Sequence, residues 1–259
     1  MLWARGSIAD RVVFGVVAGE TLGVHSGDMF GAVQPTGEQV PLAKLTWLTP
    51  CHPGKFLALW NNSHQAAAKT GAAIPLEPLY FAKTEGSFCA HYAPIRVPAG
   101  YDGRVVYEGE LGVVIGRETR SASIEEAASA IFGFTCVNDV TALELIGRDP
   151  SFPQWTRAKN FDTFGVFGPV IATGLDPKAL TVRTLVNGRE RQNYPVSSLV
   201  FSPAELVSLI SRDTTLMPGD LIACGTGPGV LPMRPSTTVE VVIDGIGTLQ
   251  NVYGQGDPQ

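Results

Sequence analysis

Two glutamates one residue apart, in the stretch YEGELGVVI, are the first residues in this sequence whose spacing suggests chemistry. They are Glu108 and Glu110, and an apolar run over residues 111–115 follows them. The run predicts a buried strand, on which residues i and i+2 point to the same face. Neighbouring carboxylates repel each other, and burying one without a partner costs free energy. Either a cation compensates the pair, or the pair lies at an exposed sheet edge.

A third carboxylate lies at the end of another predicted strand. Asp139 follows an apolar segment and Asn138 in GFTCVNDVTA. By itself Asp139 is more typical of a turn or a cap. Three carboxylates at strand ends, however, supply the oxygen ligands that Mg²⁺ prefers, with Mn²⁺ or Ca²⁺ as alternatives. With Glu108 and Glu110, Asp139 therefore predicts a divalent-cation site.

Three further side chains are candidates for substrate contacts. Lys159, among the aromatic residues of QWTRAKNFDTFGVFGP, would hold a carboxylate or move a proton, unless it forms a surface salt bridge with Asp162. Thr226, in CGTGPGV, would receive a carboxylate together with backbone amides, unless the segment is a plain turn. His64, in NNSHQAAAK, would act as a base, unless it is an ordinary exposed histidine.

The elements that would position these residues are mostly strands, which gives a mixed, β-rich α+β fold with few helices. Ser123 and Glu126 form a capping-box pattern before a helix over 124–131, and Ser202 with Pro203 begins a helix near 203–212. Short apolar runs bounded by turn residues predict strands near 56–60, 79–83, 104–117, 133–138, 165–172 and 180–187, and hairpins over 11–27 and 237–253.

Composition narrows the function classes. The chain has 259 residues and a net charge of -5, without a Lys/Arg cluster, which argues against a nucleic-acid partner. No apolar run approaches the roughly 18 residues that span a bilayer, and the N-terminus lacks the apolar core of a signal peptide. The four cysteines are scattered, which predicts buried free thiols and a cytoplasmic location.

Taken together, several stretches resemble the fumarylacetoacetate hydrolase family. The resemblance runs from about Phe56 to Tyr253, and its stretches occur in the family's order: YEGELGVVIGR, GFTCVNDVTA, WTRAKNFDTFGVFGPVI, LVNGRERQ, LMPGDLIACGTGPGV and VEVVIDGIGTLQN. It implies a β-roll catalytic domain over 51–259 with a metal at its mouth, a small N-terminal β domain over 1–50, and a homodimer. It also implies roles for six residues: metal ligation by Glu108, Glu110 and Asp139, an active-site lysine at Lys159, a substrate-carboxylate contact at Thr226, and a lid histidine at His64.

The sequence departs from the family at the predicted lid and at the pocket wall. Family hydrolases commonly pair the lid histidine with a glutamate three residues later, where this chain has Ala67. Leu143 and Ile146 stand where some members have an arginine and a glutamine after the metal aspartate. These residues imply a more apolar wall, and so a larger or less polar substrate or a different acid–base arrangement. Residues 61–72, rich in alanine, are expected to form a mobile lid.

The resemblance implies chemistry at a 2-oxo or 2-hydroxy-dienoate acid whose enolate a cation stabilises. The first expectation is hydrolysis of a C–C bond in an acylpyruvate of the maleyl- or fumarylpyruvate type from aromatic degradation, with His64 activating water. The alternative is isomerisation or decarboxylation of a 2-hydroxy-dienedioate, which the missing glutamate favours. A different class is a non-catalytic member that binds a metal or ligand, because fold does not fix function.

Overall fold

The computed structural model describes residues 1–254, and strands make up most of its regular structure. In chain order the strands are β1 (Leu2–Ile8), β2 (Arg11–Ala18), β3 (Thr21–Gly27), β4 (Val33–Pro41), β5 (Thr46–Trp47), β6 (Phe56–Trp60), β7 (Leu79–Lys83), β8 (Phe88–Cys89), β9 (Val105–Val106), β10 (Gly109–Ile115), β11 (Ile131–Asp139), β12 (Thr141–Ala142), β13 (Gly165–Ala172), β14 (Thr181–Val186), β15 (Arg189–Pro195), β16 (Leu221–Ala223), β17 (Thr237–Ile243) and β18 (Gly247–Tyr253).

The helices are short, and their caps explain where two of them begin. They are α1 (His64–Thr70), α2 (Ile124–Ala130), α3 (Leu143–Ile146), α4 (Trp155–Lys159) and α5 (Pro203–Asp213). Ser123 and Glu126 form the predicted capping box of α2, and Ser202 and Glu205 form another at α5, where Pro203 is the first residue. Within the described part of the chain, no helix combines the length and apolar character needed to cross a membrane.

A long sheet joins the N-terminal strands to the rest of the chain. Its order is β4-β3-β2-β1-β13-β11-β10-β16-β6-β7, with β5 on β1 and β8 on β13. Leu2 pairs with Ala172 and Trp3 with Ile171, so β1 continues the sheet antiparallel to β13. Hydrogen bonds therefore cross the boundary predicted near residue 50.

A second sheet, in the order β15-β14-β17-β18, closes over the centre of the long one. Its buried side chains join one core cluster with those of the long sheet, including Val113 of β10, Val166 of β13 and Val241 of β17. The phenolic hydroxyl of Tyr194 on β15 donates to the carbonyl of Gly109 at 2.9 Å, so the second sheet also contacts the first residue of β10.

The β-rich mixed fold is as predicted, and several elements match closely. Strands β6, β7 and β13 have the predicted bounds, and both predicted hairpins are present, as β2–β3 and β17–β18. The four cysteines are free and buried, as predicted. The predictions did not include β1, β15, α3 or α4, which carry weaker alternation or are too short to show a period.

Candidate active site

Two antiparallel strands bring the three predicted carboxylates together. Strand β10 begins directly after Glu108, and β11 ends at Asp139. The backbone N–H of Asp139 donates to the carbonyl of Glu108 at 2.9 Å, so the two strand ends are adjacent. One carboxylate oxygen from each of Glu108, Glu110 and Asp139 lies within 4.8 Å of the others. This spacing allows one cation to contact all three.

The glycine between the two glutamates lets the chain pass under the second sheet. The backbone N–H of Gly109 donates to Oε1 of Gln192 at 3.0 Å. A Cβ at residue 109 would lie 1.9 Å from Oγ1 of Thr184, well inside the contact limit. Glycine is therefore the residue that fits here, and it keeps Glu108 and Glu110 on the side away from the second sheet.

Lys159, at the end of α4, lies between two of these carboxylates. Its Nζ donates to Oε2 of Glu108 at 2.8 Å and to Oδ2 of Asp139 at 2.5 Å. Burial lowers the pKa of Lys159, but the two carboxylates raise it further, so the net pKa lies above its ordinary value and the ammonium stays charged. Asp162, the alternative partner considered from the sequence, pairs instead with Arg96 at 3.6 Å.

A second buried lysine belongs to the site, and the sequence reasoning missed it. Lys83, the last residue of β7, donates from Nζ to Oδ1 of Asp139 at 2.5 Å and to the carbonyl of Lys159 at 2.6 Å. Burial raises the pKa of Asp139, but the two lysines lower it to below its ordinary value. The signal was a lysine ending an apolar strand in LYFAK, where a buried cation requires an anionic partner.

Glu110 has a carboxylate oxygen that lacks a partner. Its Oε2 accepts the backbone N–H of Gly225 at 2.7 Å, whereas its buried Oε1 has no hydrogen-bond partner among the described residues. Burial, then the charges of Asp139 and Glu108, raise the pKa of Glu110 well above its ordinary value. An orphaned buried oxygen beside two more carboxylates fits a hard divalent cation, since the donors are all oxygen and the three acids outnumber the two lysines.

A cavity of about 560 Å³ opens above this cluster. Glu108 and Lys159 lie in its wall, as do the loop 226–230, Leu143 and Ile146 of α3, and one face of α1. Phe81 and Trp155 stack at 5.4 Å on another side, which makes that wall aromatic. The expected apolar wall at residues 143 and 146 is present. Glu144 points elsewhere, to Arg104 and Tyr101.

Thr226 lies in the cavity wall, and its hydroxyl is held on two sides. Its Oγ1 donates to the carbonyl of Gly109 at 2.9 Å and accepts from Nε2 of Gln192 at 2.8 Å. The hydroxyl is therefore fixed beside the strand that carries the glutamates. Its hydrogen already points to a carbonyl, so a substrate carboxylate would have to compete for it.

The structure does not bring His64 into the cavity. His64 is the exposed first residue of α1, whereas Ala66, Lys69 and Thr70 of the same helix line the cavity. These three have the i, i+3, i+4 spacing of one helical face, and His64 lies about 200° around the helix from Ala66. Ala67, the position of the missing glutamate, is buried beneath the helix.

Comparison with known proteins identifies the family. Residues 55–253 match the model described as fumarylacetoacetate hydrolase, C-terminal. The chain belongs to the fumarylacetoacetate hydrolase family. Residues 1–50 match a separate model, described as Rv2993c-like, N-terminal. Among relatives, an uncharacterized protein of Archaeoglobus fulgidus is 41% identical over 223 residues, which cover 86% of this chain and 88% of that protein.

This chain resembles solved structures of enzymes that are named for two different reactions. The 2-hydroxyhepta-2,4-diene-1,7-dioate isomerase from Mycobacterium marinum has a TM-score of 0.90 and 35% identity, with all of both chains covered. The maleylpyruvate hydrolase from Sphingobium sp. SYK-6 has a TM-score of 0.81 and 26% identity, covering 99% of this chain and 100% of the hydrolase. The chain is therefore related both to isomerases and to hydrolases.

Proposed function

We propose that this protein is a divalent-metal-dependent enzyme that forms an enolate of a small 2-oxo or 2-hydroxy-dienoic acid. The observation that supports this most directly is the partnerless buried oxygen of Glu110 beside Glu108 and Asp139, at the base of a cavity. These three residues would hold Mg²⁺ or Mn²⁺. When bound, the cation supplies Lewis-acid polarisation of the substrate's carbonyl oxygen.

The chain's own residues would position the substrate and hold its charge. Lys159, protonated and fixed between two carboxylates, offers a charge-assisted hydrogen bond to the oxygen that becomes anionic in the enolate. Lys83 acts through Asp139, since it holds one oxygen of that carboxylate and leaves the other to Lys159. The apolar wall at Leu143 and Ile146 keeps water away from the reacting carbon.

The reaction that this arrangement favours is isomerisation or decarboxylation rather than hydrolysis. Hydrolysis needs a base that activates water, and no histidine is among the described residues that line the cavity. Ketonisation of a 2-hydroxy-dienoate releases the enol proton to solvent and takes a proton from water at carbon. Decarboxylation of a carboxylate beta to the carbonyl breaks the C–COO⁻ bond and leaves an enolate that takes a proton from water. Neither reaction requires a base that activates water for attack on a carbonyl carbon. The likeness to an enzyme named as an isomerase of a 1,7-dioate adds support.

Hydrolysis of an acylpyruvate of the maleyl- or fumarylpyruvate type, from aromatic degradation, is the second candidate. The likeness to a maleylpyruvate hydrolase supports it. It requires α1 to move so that His64 reaches the cavity. A non-catalytic role is less well supported, because burying the lysine–carboxylate cluster costs free energy of desolvation and catalysis would explain why the charges are kept.

One experiment separates these candidates. The protein, with Mg²⁺ or with EDTA, is incubated in D₂O with 2-hydroxyhepta-2,4-diene-1,7-dioate, oxaloacetate and fumarylpyruvate, and products are followed by ultraviolet absorbance and NMR. We expect Mg²⁺-dependent proton relocation or CO₂ loss with deuterium at the carbon next to the carbonyl. Release of pyruvate and fumarate would indicate the hydrolase instead. No reaction with any substrate would contradict enolate chemistry.

The quaternary structure and location are part of the proposal. We infer a homodimer acting on a small-molecule 2-oxo acid in the cytoplasm, without a nucleic-acid or membrane partner. The free buried thiols are compatible with a reducing compartment. Light scattering after size-exclusion chromatography measures the mass, and a monomer at micromolar concentration would contradict the dimer.

A further inference from the structure

The cavity has a positive charge that the site described above does not use. The charged side chains in its wall are Glu108, Lys159 and Lys69, and Lys159 donates a hydrogen bond to Glu108. Lys69 has no ion-pair or side-chain hydrogen-bond partner among residues 1–254. It is exposed on α1, whereas the three acids lie on or beside strands β10 and β11.

Helix α1 places Lys69 in the wall of the cavity. Ser63 caps the helix by accepting the N–H of Ala66, and Gly71 ends it in a left-handed conformation with φ of 72°. Ala67 is the buried residue of α1, so the helix faces the rest of the protein on that side. Since α1 is otherwise built from small residues on this face, the ammonium of Lys69 is not covered by a neighbouring side chain of the helix.

Apart from Lys69 and Lys159, the described wall of the cavity has no cationic side chain that could pair with a second carboxylate of a substrate. Phe81, Leu143, Ile146 and Trp155, which also line the cavity, are apolar. Such a wall suits a hydrocarbon chain, whereas a carboxylate against it would lose hydration without compensation. Its volume of about 560 Å³ also exceeds what a short 2-oxo acid fills.

We propose that Lys69 is a specificity-determining residue that binds the distal carboxylate of a dianionic 2-oxo acid. The inference rests on the proposed function, because it assumes that the 2-oxo acid end binds at Glu108, Glu110 and Asp139. The carbon chain would then lie along Leu143 and Ile146, and the second carboxylate would reach α1. Among the acids considered under the proposed function, Lys69 would therefore favour those that carry a second carboxylate at the far end of the chain.

The test is a matched pair of probes that does not depend on turnover. 2-Oxohexanedioate carries the distal carboxylate, and 2-oxohexanoate has the same chain length without it. Calorimetry on the full-length protein with saturating Mg²⁺ gives both dissociation constants. We expect wild type to bind the dianion more tightly, and Lys69→Met to reduce that preference about tenfold, the usual loss for a charge-assisted contact. Lys69→Arg keeps the charge and retains most of the preference.

Lys44→Met is the matched control, since Lys44 is an exposed lysine in the N-terminal part of the chain. It should leave the preference as in wild type. Equal affinity of wild type for both probes, or an unchanged preference in Lys69→Met, would overturn the role of Lys69 while leaving a 2-oxo acid site intact. If neither probe binds to wild type, the proposed function fails and this inference fails with it.

Discussion

Lys83 and Asp139 are 56 positions apart in the sequence, yet Nζ of the lysine lies 2.5 Å from Oδ1 of the aspartate, and both side chains are fully buried. The pair joins the end of β7 to the end of β11. Because the other oxygen of Asp139 accepts from Lys159, the aspartate is held on both sides. A metal ligand fixed in this way loses little conformational freedom when a cation binds.

Lys83→Met should destabilise the fold, since it leaves Asp139 buried with one partner fewer. We expect the free energy of unfolding to fall by about 3 kcal/mol, the usual cost of breaking a buried ion pair. Urea titration with and without the substitution measures it. The control Arg183→Met removes an exposed pair with Asp244 and should cost less than about 0.5 kcal/mol. Equal costs would contradict a structural role for the buried pair.

Glu110→Gln should abolish cation binding while the fold persists. The substitution keeps the size of the side chain and removes the carboxylate, whose buried Oε1 has no hydrogen-bond partner among the described residues. Without metal, we expect the variant to melt at or above the wild-type temperature. Added Mg²⁺ should raise the melting temperature of wild type only, because a ligand that binds the folded state stabilises it. Undiminished Mg²⁺ affinity of the variant, by calorimetry, would remove Glu110 from the metal site.

Lys159→Met should lower kcat/KM about 100-fold or more, because it removes a charged donor from the reacting centre and keeps most of the apolar stem. Steady-state kinetics with whichever substrate the protein turns over provides the measurement. Asp162→Asn is the control, since Asp162 pairs with Arg96 at the surface and not with Lys159. A Lys159 variant within about threefold of wild type would exclude a role in the reaction.

Closure of α1 over the cavity is expected when substrate binds. The helix has one buried side chain, Ala67, and so few apolar contacts to hold it. Hydrogen exchange should therefore be rapid over residues 61–72 and slow down with Mg²⁺ and a 2-oxo acid.

The variant His64→Ala tests the role of the histidine on one acylpyruvate. It should retain deuterium exchange at the carbon next to the carbonyl. If hydrolysis is present and His64→Ala removes it, α1 brings His64 to the water.

Stability should fall below neutral pH through His91. Burial lowers the pKa of His91 to about 4, and its Nδ1 accepts the backbone N–H of Gln250 at 3.0 Å. The unfolded chain takes up the proton near pH 6.5, so the contribution is complete above that pH and is lost as the pH falls toward 4. Solvent screens part of the effect, which leaves a loss on the order of 2 kcal/mol.

The measurement for His91 is the free energy of unfolding at pH 7 and pH 5 in urea. His91→Gln should show a smaller fall between the two values than wild type. His52→Gln, at an exposed histidine, is the control and should fall as wild type does. A pH dependence that is identical in wild type and His91→Gln would show that other groups account for it.

Local patterns in the sequence were enough to predict many of the elements and the chemistry of the acids. Short apolar runs predicted β6, β7 and β13. Strand β13 is buried along its whole length, and β6 is buried except at Trp60. The capping box of α2 could be predicted because its two residues, Ser123 and Glu126, are only three positions apart in the sequence. Spacing alone also predicted that Glu108 and Glu110 share a face, and their oxygens do lie together.

Which distant side chains meet, and which way α1 faces, depends on long-range packing that local patterns do not contain. Lys83 reaches Asp139 although three strands, β10, β16 and β6, separate β7 from β11 in the long sheet, a contact that no local pattern encodes. The orientation of α1 depends on which side is buried. In an alanine-rich helix no large apolar side chain marks that side. The sequence therefore pointed to His64, while packing at Ala67 turned Lys69 toward the cavity.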